Sequence, residues 1–448
     1  MVVSHVRRVV AMSRSLVEGS GGLALASSAQ LELTVGSATA DVDAAEVRFE
    51  KRRRAAHLSE PRGVGSDGGV MKPRMSIALV GTYPPTECGI ATFTSNLAIS
   101  IATPDSGWSA AVVRVMDQAD LRPHDRRVVE TWRRDDRRSL ERSLAVLNRR
   151  DVVVLQHEYG IFGGVDGQDV LQLVEGLTVP LIVVLHTALV DPSRHQREIL
   201  EKVIELSAQV VVQSEAARSR IATVHGMDIG TIVVIPHGAV GNFGPRPTST
   251  VSPPTVLTWG LLSPGKGIEH GIRAVARLWP SDPSLMYVVA GETHPKVRSA
   301  QGEYYRDSLR ALAIELGAEG RVRFDGEYRD WDSLRALIRS VDVVLLPYES
   351  REQVSSGVLV EALASGKSVV ATTFPHAEEL LAGGAGILVD QGDVNAMAEA
   401  ISRILNEPGL AARMSSRARE VAEPLLWSAV GESYRKLIER VVNQRLTV

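Results

Sequence analysis

From Ser76 onward the chain alternates short apolar runs with longer segments whose apolar residues recur at helical spacing. Each apolar run has the length of a strand and stops at glycine, histidine, proline or another polar or small residue. This alternation is typical of parallel β-α-β units. The predicted strands are SIALVG (from Ser76), AAVVRV (Ala110), VVVLQH (Val152), LIVVLH (Leu181), QVVVQS (Gln209), TIVVIP (Thr231), TVLTWG (Thr255), MYVVAG (Met286), VRFDG (Val322), VDVVLLP (Val341), SVVATT (Ser368) and GILVD (Gly386).

Between the two series of strands lies a segment dense in Gly, Pro, Ser and Thr, which predicts a linker at 241–254. The pattern therefore predicts an α/β protein with one Rossmann-like domain at 75–240 and a second at 255–424. Residues 425–448 have apolar positions at helical spacing and predict a C-terminal helix. Because open α/β sheets bind ligands outside the carboxyl ends of their strands, we expect the chemistry where the apolar runs stop.

Residues 1–74 lack sustained periodicity and predict a poorly ordered extension. Their basic cluster KRRR, residues 51–54, favours a solvated run of charge over a nucleic-acid contact, because it is short. A true start at Met71 or Met75 fits the pattern equally well. Arg14 and Glu18 interrupt what would be the apolar core of a secretory signal, so no signal peptide is predicted.

Composition and charge exclude two classes of protein, those that bind nucleic acid through bulk charge and those that span a membrane. The net charge of -3 and the 44% hydrophobic content describe a globular protein without a basic field for nucleic acid. No apolar run reaches the roughly 18 residues of a membrane helix, so no membrane span is predicted, and a peripheral membrane contact stays open. The lone Cys88 cannot form an internal disulfide, and the cytoplasm is the predicted location.

Three candidate positions follow strands of the first half. Gly89 opens a helix after the first strand, where backbone N–H groups can approach a phosphate, although a simple turn also requires glycine. His157, followed by Glu158 and Tyr159, ends one strand, and His186 ends the next. Their spacing matches no zinc pattern, so no metal site is predicted. The histidines are interpreted as polar contacts or proton carriers at the cleft, with a structural role as the alternative.

In the second half, Lys266 lies between two glycines at the start of a helix, in GLLSPGKG. An ammonium and backbone donors can converge there on one phosphate, although a solvated surface lysine has the same sequence. Ile268 follows the second glycine where a Walker A loop has Ser or Thr. The sequence therefore predicts a phosphate contact of another kind.

The segment QVSSGVLVE, residues 353–361, carries the most specific pattern. Its small and hydroxyl residues begin a helix, where free N–H groups and the positive end of the dipole favour a phosphate. Glu361 follows in the second turn, and its carboxylate can accept from two vicinal hydroxyls, as in a ribose. The residues predicted to bind the donor here are Gln353, Ser355, Ser356, Gly357, Val358 and Glu361.

These elements, with CGIATFT and LHTAL in the same order, make the chain from Ser76 onward resemble the retaining glycosyltransferases of the GT-B fold. The resemblance is to the large family, of the family 4 type, that has an E-x7-E motif and includes phosphatidylinositol mannosyltransferases and sucrose-phosphate synthases. It implies two Rossmann-like domains facing each other across a cleft. It also implies a C-terminal helix that crosses back to the first domain, the alternative being a last helix of the second domain.

The resemblance also implies roles for individual residues. Gly89 and Lys266 would contact the donor diphosphate, Glu361 the ribose, and His186 the transferred sugar near the reaction centre. Gln353 would face the hydroxyls of that sugar, and the segment GEYRD, residues 326–330, which contains Tyr328, would lie against the nucleobase. His157, Glu158 and Tyr159 would contact the acceptor. The implied catalytic residues are thus His186, Lys266 and Glu361, with no cofactor and no metal.

The implied activity is transfer of a hexose, with retention, from a nucleotide-diphosphate sugar to an acceptor hydroxyl, with UDP- or GDP-sugars favoured as donors. A monomer or a homodimer is expected. The sequence departs from the family pattern at two positions, since Leu261 replaces an arginine and Gln353 replaces the first acid of E-x7-E. Two alternatives therefore stay open, a nucleotide-sugar epimerase of the same fold and a nucleotide-sugar-binding protein without catalysis.

Overall fold

The computed structural model describes residues 74–117, 125–244, 253–327 and 329–446. The predicted extension, apart from Arg74, lies outside the described residues. Tyr328 and the middle of the predicted linker also lie outside them.

The first domain contains one parallel sheet, which is covered by helices. Its strands are β1 (Met75–Gly81), β2 (Trp108–Met116), β3 (Val128–Arg133), β4 (Val152–His157), β5 (Leu181–Leu185), β6 (Gln209–Val212) and β7 (Ile232–Val234). Its helices are α1 (Gly89–Ile101), α2 (Arg137–Leu147), α3 (Val170–Gly176), α4 (Arg194–Glu205) and α5 (Glu215–His225). The strand order is β3-β2-β1-β4-β5-β6-β7, so the order reverses direction between β1 and β4.

The second domain repeats this plan. Its strands are β8 (Thr255–Trp259), β9 (Met286–Ala290), β10 (Val322–Asp325), β11 (Val343–Leu346), β12 (Ser368–Thr372) and β13 (Gly386–Val389), in the order β10-β9-β8-β11-β12-β13. Its helices are α6 (Ile268–Ala276), α7 (Pro295–Gln301), α8 (Tyr304–Glu315), α9 (Trp331–Ser340), α10 (Gly357–Ala364), α11 (Pro375–Leu381), α12 (Val394–Asn406) and α13 (Leu410–Ala422). The predicted α/β class with two Rossmann-like domains is confirmed.

Every predicted strand is present, and the central strands of both sheets are almost wholly buried, as their continuous apolar runs require. In β4 and β5, for example, every residue is buried. Strand β3 was not predicted from the sequence, and among the described strands this edge strand pairs only with β2. Most residues of β3 are partly exposed, so polar side chains interrupt its apolar pattern and no continuous run marks it.

The chain ends in the helix α14 (Trp427–Leu446). Its apolar side chains join Phe93 and Leu97 of α1 in one buried cluster of the first domain. The Arg435 guanidinium of α14 also donates to the carbonyl of Ser100 at 2.8 Å. The helix thus follows the second domain in sequence but packs on the first. Within the described part of the chain, no helix is both long and apolar enough to cross a bilayer.

Candidate active site

A cavity of about 530 Å³ lies where the carboxyl ends of strands from the two sheets face each other. Loops after β1 and β7 line it from the first domain, and loops after β8, β9, β10 and β11 line it from the second. This is the position at which open α/β sheets bind ligands. The lining residues of the first domain are Pro84, Pro85, Thr86, Glu87, Cys88, Gly89, Thr92 and His237. Those of the second domain are Trp259, Gly260, Leu261, Ser263, Lys266, Ala290, Gly291, Glu292, His294, Glu327, Arg329, Asp330, Trp331, Leu334, Gly357, Val358 and Glu361.

The first domain contributes the N-terminus of α1. Cys88 caps this helix, because its Sγ accepts from the backbone N–H of Ala91 at 3.3 Å. A Cβ atom at Gly89 would meet no other atom within 4 Å, so the helix begins against open cavity. The first N–H groups of a helix lack intrahelical partners and favour negative charge. Gly89 therefore lies where the sequence predicted it, at a helix end that faces the cavity.

The second domain contributes Lys266 from the loop between β8 and α6. Gly267 has a φ of +62°, and a Cβ atom there would lie 1.8 Å from the carbonyl oxygen of Pro347. Only glycine fits this position, because any other residue would clash with the Pro347 carbonyl in this backbone conformation. The Lys266 ammonium lines the cavity and lies 4.1 Å from the centroid of the Tyr348 ring. Among the described residues it has no carboxylate partner.

Helix α10 places three predicted donor contacts in the cavity. Gly357, Val358 and Glu361 lie on one face, since residues four apart in a helix stack above one another. Ser356 caps the helix by accepting from the N–H of Leu359 at 3.3 Å, and its own N–H donates to Nδ1 of His376. Ser356 is buried, so its hydroxyl stabilises the start of the helix without facing the cavity.

The Glu361 carboxyl group has unusual electrostatics. Burial raises its pKa to about 7, and a hydrogen bond from the Trp259 side chain and the charge of Arg335 oppose that rise only in part. Near neutral pH the group therefore exists in both protonation states. A charged ligand or a hydrogen-bonding hydroxyl pair placed in the cavity would shift that balance.

The segment after β10 contributes three charged side chains to the cavity. These are Glu327, Arg329 and Asp330. The Arg329 guanidinium binds the carboxylate of Asp325, and Asp330 caps α9 by accepting from the N–H of Ser333 at 2.8 Å. The predicted nucleobase segment thus lies on the cavity, although Tyr328 itself is outside the described residues.

His186 lies in a partly buried hydrogen-bond network, and it is not one of the cavity-lining residues. Its Nδ1 accepts from the Gln213 amide at 3.1 Å, and its Nε2–H donates to Oε1 of Gln156 at 2.8 Å. Burial lowers its pKa to about 3, with the neighbouring His237 and His157 acting in the same direction. The ring is therefore neutral, and protein groups occupy both of its nitrogens. This conformation does not provide the predicted contact of His186 with a sugar.

The same network continues into the second domain. The Ser355 hydroxyl donates to Oε1 of Gln213, and the Ser214 hydroxyl donates to the carbonyl of Val354 at 2.6 Å. Ser355 therefore connects the domains, and its side chain is not available as the predicted donor contact in this conformation. The segment just before α10 is held by the first domain.

Gln353 also differs from the prediction. Its amide Nε2 donates to the carbonyl of Ser355 at 3.0 Å, and it is not one of the cavity-lining residues. A glutamate could not donate this bond. The amide thus stabilises the turn that leads into α10, which gives a structural reason for glutamine at this position.

We expect Gln353→Glu to weaken binding of every nucleotide sugar by a similar factor of a few, and to lower the unfolding free energy by about 1 kcal/mol, because a partly buried hydrogen bond is lost. Initial rates with several donors and a thermal melt measure both effects. A role for Gln353 in selecting the sugar predicts a different result, in which the variant loses activity with the native donor and gains at least about tenfold in relative kcat/KM with a plain hexose donor. That outcome would contradict the structural role.

The three predicted acceptor contacts are not among the residues that line the cavity. His157 is buried against Tyr159 and Phe162, and burial lowers its pKa to about 4. The Glu158 carboxylate accepts from the hydroxyl of Thr187. Burial raises the pKa of Tyr159 to about 12. In this conformation His157 is a structural histidine, which was the alternative interpretation from the sequence.

Two histidines of the cavity were missed. His237 follows β7, and its Nδ1–H donates to the carbonyl of Gly238 at 2.9 Å. Burial lowers its pKa to about 4, so its Nε2 is an unprotonated acceptor beside Gly357. His294 follows β9 and caps α7. Both lie just after a predicted strand, and this position was the signal that could have identified them.

A metal site has no ligand set in this region. Within the described ranges of the chain, no group of three or more His, Cys, Asp or Glu side chains is arranged to hold a metal ion. The positive charge at the cavity comes instead from Lys266, from two helix N-termini and from Arg329, whose guanidinium is paired with Asp325. The prediction that no metal is required stays a prediction.

The comparisons with known proteins agree with this geometry. Residues 245–421 match the family model described as glycosyl transferases group 1. This match covers the second domain. The matched segment contains Lys266, the start of α10 and Glu361, together with Tyr328 and Gln353, which the sequence also singled out.

Curated relatives cover part of the chain. The lipopolysaccharide core biosynthesis glycosyltransferase LpsE of Rhizobium meliloti is 31% identical over 41% of this chain and 49% of its own length. The D-inositol 3-phosphate glycosyltransferase of Corynebacterium efficiens is 33% identical over 40% of this chain and 41% of its own length. The phosphatidyl-myo-inositol mannosyltransferase of Mycolicibacterium smegmatis is 33% identical, with 47% and 52% covered. The matches thus span about half the length of these glycosyltransferases, or less.

Solved structures establish the fold of both domains. The Anabaena protein HepE in complex with UDP and glucose superposes with a TM-score of 0.64 at 19% identity, over 82% of this chain and 99% of that one. A UDP-forming trehalose-phosphate synthase from Burkholderia xenovorans gives a TM-score of 0.61 at 14% identity, over 83% and 99%. The group 1 domain and the domain before it together have the GT-B fold.

Proposed function

We propose that this protein is a retaining glycosyltransferase that moves a hexose from a nucleotide-diphosphate sugar to an acceptor hydroxyl. One observation carries the proposal: a single cavity between the domains brings together Lys266, the N-terminus of α10 and Glu361. An ammonium and a helix N-terminus suit a diphosphate, and a carboxylate one turn further along suits a diol. The group 1 family of the second domain supports the same activity.

In this proposal the donor diphosphate lies between Lys266 and the helix start at Gly357, with the α1 end at Gly89 on the opposite wall. The ribose hydroxyls donate to Glu361. The nucleobase lies toward Glu327 and Arg329. A UDP- or GDP-sugar is the proposed donor, and crystals of HepE, a structural neighbour, contain UDP.

The proposed reaction breaks the bond between the anomeric carbon and the phosphate oxygen and forms one to the acceptor oxygen. The acceptor hydroxyl attacks from the face that the diphosphate leaves, and its proton passes to the departing phosphate oxygen. Retention follows from this geometry. Lys266 and the helix N-terminus stabilise the negative charge that develops on the leaving group, and fixed donors of this kind lower barriers strongly.

The test is a panel of UDP-, GDP- and ADP-sugars offered with and without candidate acceptors. Release of nucleoside diphosphate that depends on an acceptor supports the transferase. Interconversion of the sugars without an acceptor would show the epimerase, and a thermal shift without turnover would show a binding protein. A cytoplasmic location, a monomeric or homodimeric state and the acceptor's identity stay open to separate measurement.

Turnover is expected to continue unchanged in excess EDTA, because Lys266 and the helix N-termini supply the charge that a metal would bring. The measurement compares initial rates in EDTA, in Mg²⁺ and in Mn²⁺ at equal ionic strength. A complete loss in EDTA that either metal restores would contradict a metal-independent site.

A further inference from the structure

The Lys266 ammonium has one close neighbour that the proposed function does not use. Its Nζ lies 4.1 Å from the centroid of the Tyr348 ring, well inside the distance at which a cation is attracted to an aromatic face. Tyr348 is only 1% exposed, so the ring offers this face in a site with little competing water. The interaction is stronger when the partners are desolvated.

The residues around Tyr348 fix the ring and the lysine loop together. The N–H of Glu349 donates to the carbonyl of Gly265 at 3.0 Å, which ties the segment after β11 to the lysine loop. The Thr372 hydroxyl donates to the Tyr348 carbonyl at 2.6 Å, and the Phe374 ring stacks on Tyr348 with centroids 5.4 Å apart. The ring is thus a rigid support beneath a flexible side chain.

The Tyr348 hydroxyl does not explain the presence of this residue. Within the described residues this buried group has no hydrogen-bond partner. A buried hydroxyl without a partner lowers stability, so phenylalanine would serve the packing better. The aromatic face, which Phe shares with Tyr, is the part of the side chain that contacts the lysine.

We propose that Tyr348 is a positioning residue that holds the Lys266 ammonium toward the cavity, ready for the diphosphate of the donor. The inference rests on the proposed function, because it assigns Lys266 to the diphosphate. A lysine side chain has four rotatable bonds, and a support that restricts them before binding removes part of the ordering cost that binding otherwise incurs.

The test measures the dissociation constants of UDP and GDP by titration calorimetry. Tyr348→Leu is expected to raise the dissociation constant of the tighter nucleotide about tenfold. The conservative variant Tyr348→Phe, which keeps the ring, is expected to restore affinity to within about twofold of the original protein. A matched control is Trp279→Leu, which removes a buried ring of the same domain that lies over Arg321 instead of Lys266; we expect it to change affinity by less than about threefold.

A double-mutant cycle separates positioning from packing. If Tyr348 acts through Lys266, then Tyr348→Leu has almost no further effect on affinity in a Lys266→Ala background. An equal factor in both backgrounds would overturn the inference. Should Tyr348→Leu fail to fold, fluorinated phenylalanines at position 348 keep the shape and weaken the electrostatics of the ring. Affinity should then fall with each added fluorine, and a constant affinity would overturn the inference.

The same experiment distinguishes this inference from the proposed function. If Lys266→Ala alone leaves nucleotide affinity unchanged, or if neither nucleotide binds the original protein, the assignment of Lys266 and the proposed function fail together with the inference. If Lys266→Ala weakens binding and Tyr348→Leu does not, only the inference fails.

Discussion

Lys266→Ala is expected to lower kcat/KM for the donor by at least about a hundredfold while leaving the fold intact. Lys266 supplies a full positive charge at the cavity, whereas the guanidinium of Arg329, which also lines it, is paired with Asp325. Removal of one fixed donor to such charge typically costs a factor of about a hundred to a thousand. The measurement is steady-state kinetics with the donor identified by the panel, together with a thermal melt.

Two variants serve as controls for this prediction. Lys266→Arg keeps the charge but needs more space between Gly265 and Gly267, so partial activity is expected. Lys436 is an exposed lysine of α14 whose ammonium lies 3.7 Å from Glu432, and Lys436→Ala should leave the kinetics unchanged. Near-original kcat/KM in Lys266→Ala would remove Lys266 from the donor site.

The second large effect concerns Glu361 and depends on pH. We expect Glu361→Ala to raise the KM for the donor by about thirtyfold or more, since a charge-assisted contact to the ribose is lost. Because burial raises the pKa of Glu361 to about 7, the free enzyme carries a mixture of acid and carboxylate at neutral pH. Only the carboxylate can accept from both hydroxyls, so kcat/KM should rise as pH increases from 6 to 8.

Stability should change in the opposite direction. The pKa of Glu361 rises from 4.5 when unfolded to about 7 when folded, so the folded protein binds the proton more tightly. The group's contribution to stability is therefore largest below pH 4.5 and is lost as pH rises through 7. Glu361→Gln should remove both trends, giving a flat pH profile for kcat/KM and a higher melting temperature than the original protein at pH 8. A pH profile that keeps its rise in Glu361→Gln would assign the titration to another group.

Three residues that line the cavity were predicted from the sequence. Gly89, Lys266 and Glu361 were identified because each follows a predicted strand in a local pattern that suits an anion or a diol. That the three lie on one cavity depends on two sheets facing each other, since Gly89 comes from the first domain and Lys266 and Glu361 come from the second. The first domain's contribution from His237 was missed, although this histidine directly follows a predicted strand, because it is not part of a longer motif.

Gln353, Ser355 and His186 show the opposite case. Each was assigned to the donor from its position in a motif, yet the structure gives each a protein partner. The Gln353 amide bonds to a backbone carbonyl, Ser355 bonds to Gln213, and His186 bonds to two glutamines. Residues that bond in this way lie far apart in the sequence, as Gln213 and Ser355 do, and no local pattern records the pairing.

The sequence by itself determined the class of the fold, because strands buried on both faces require continuous apolar runs and these runs recur with helical segments between them. It also determined which strand ends are followed by a helix start or a glycine loop suited to an anion, because both features depend on residues that are adjacent in the sequence. It did not determine β3, since an edge strand with one exposed face needs no apolar run. Only the tertiary structure decided which polar side chains face the cavity and which satisfy one another, because a buried polar group must find its partner in space and that partner can come from any part of the chain.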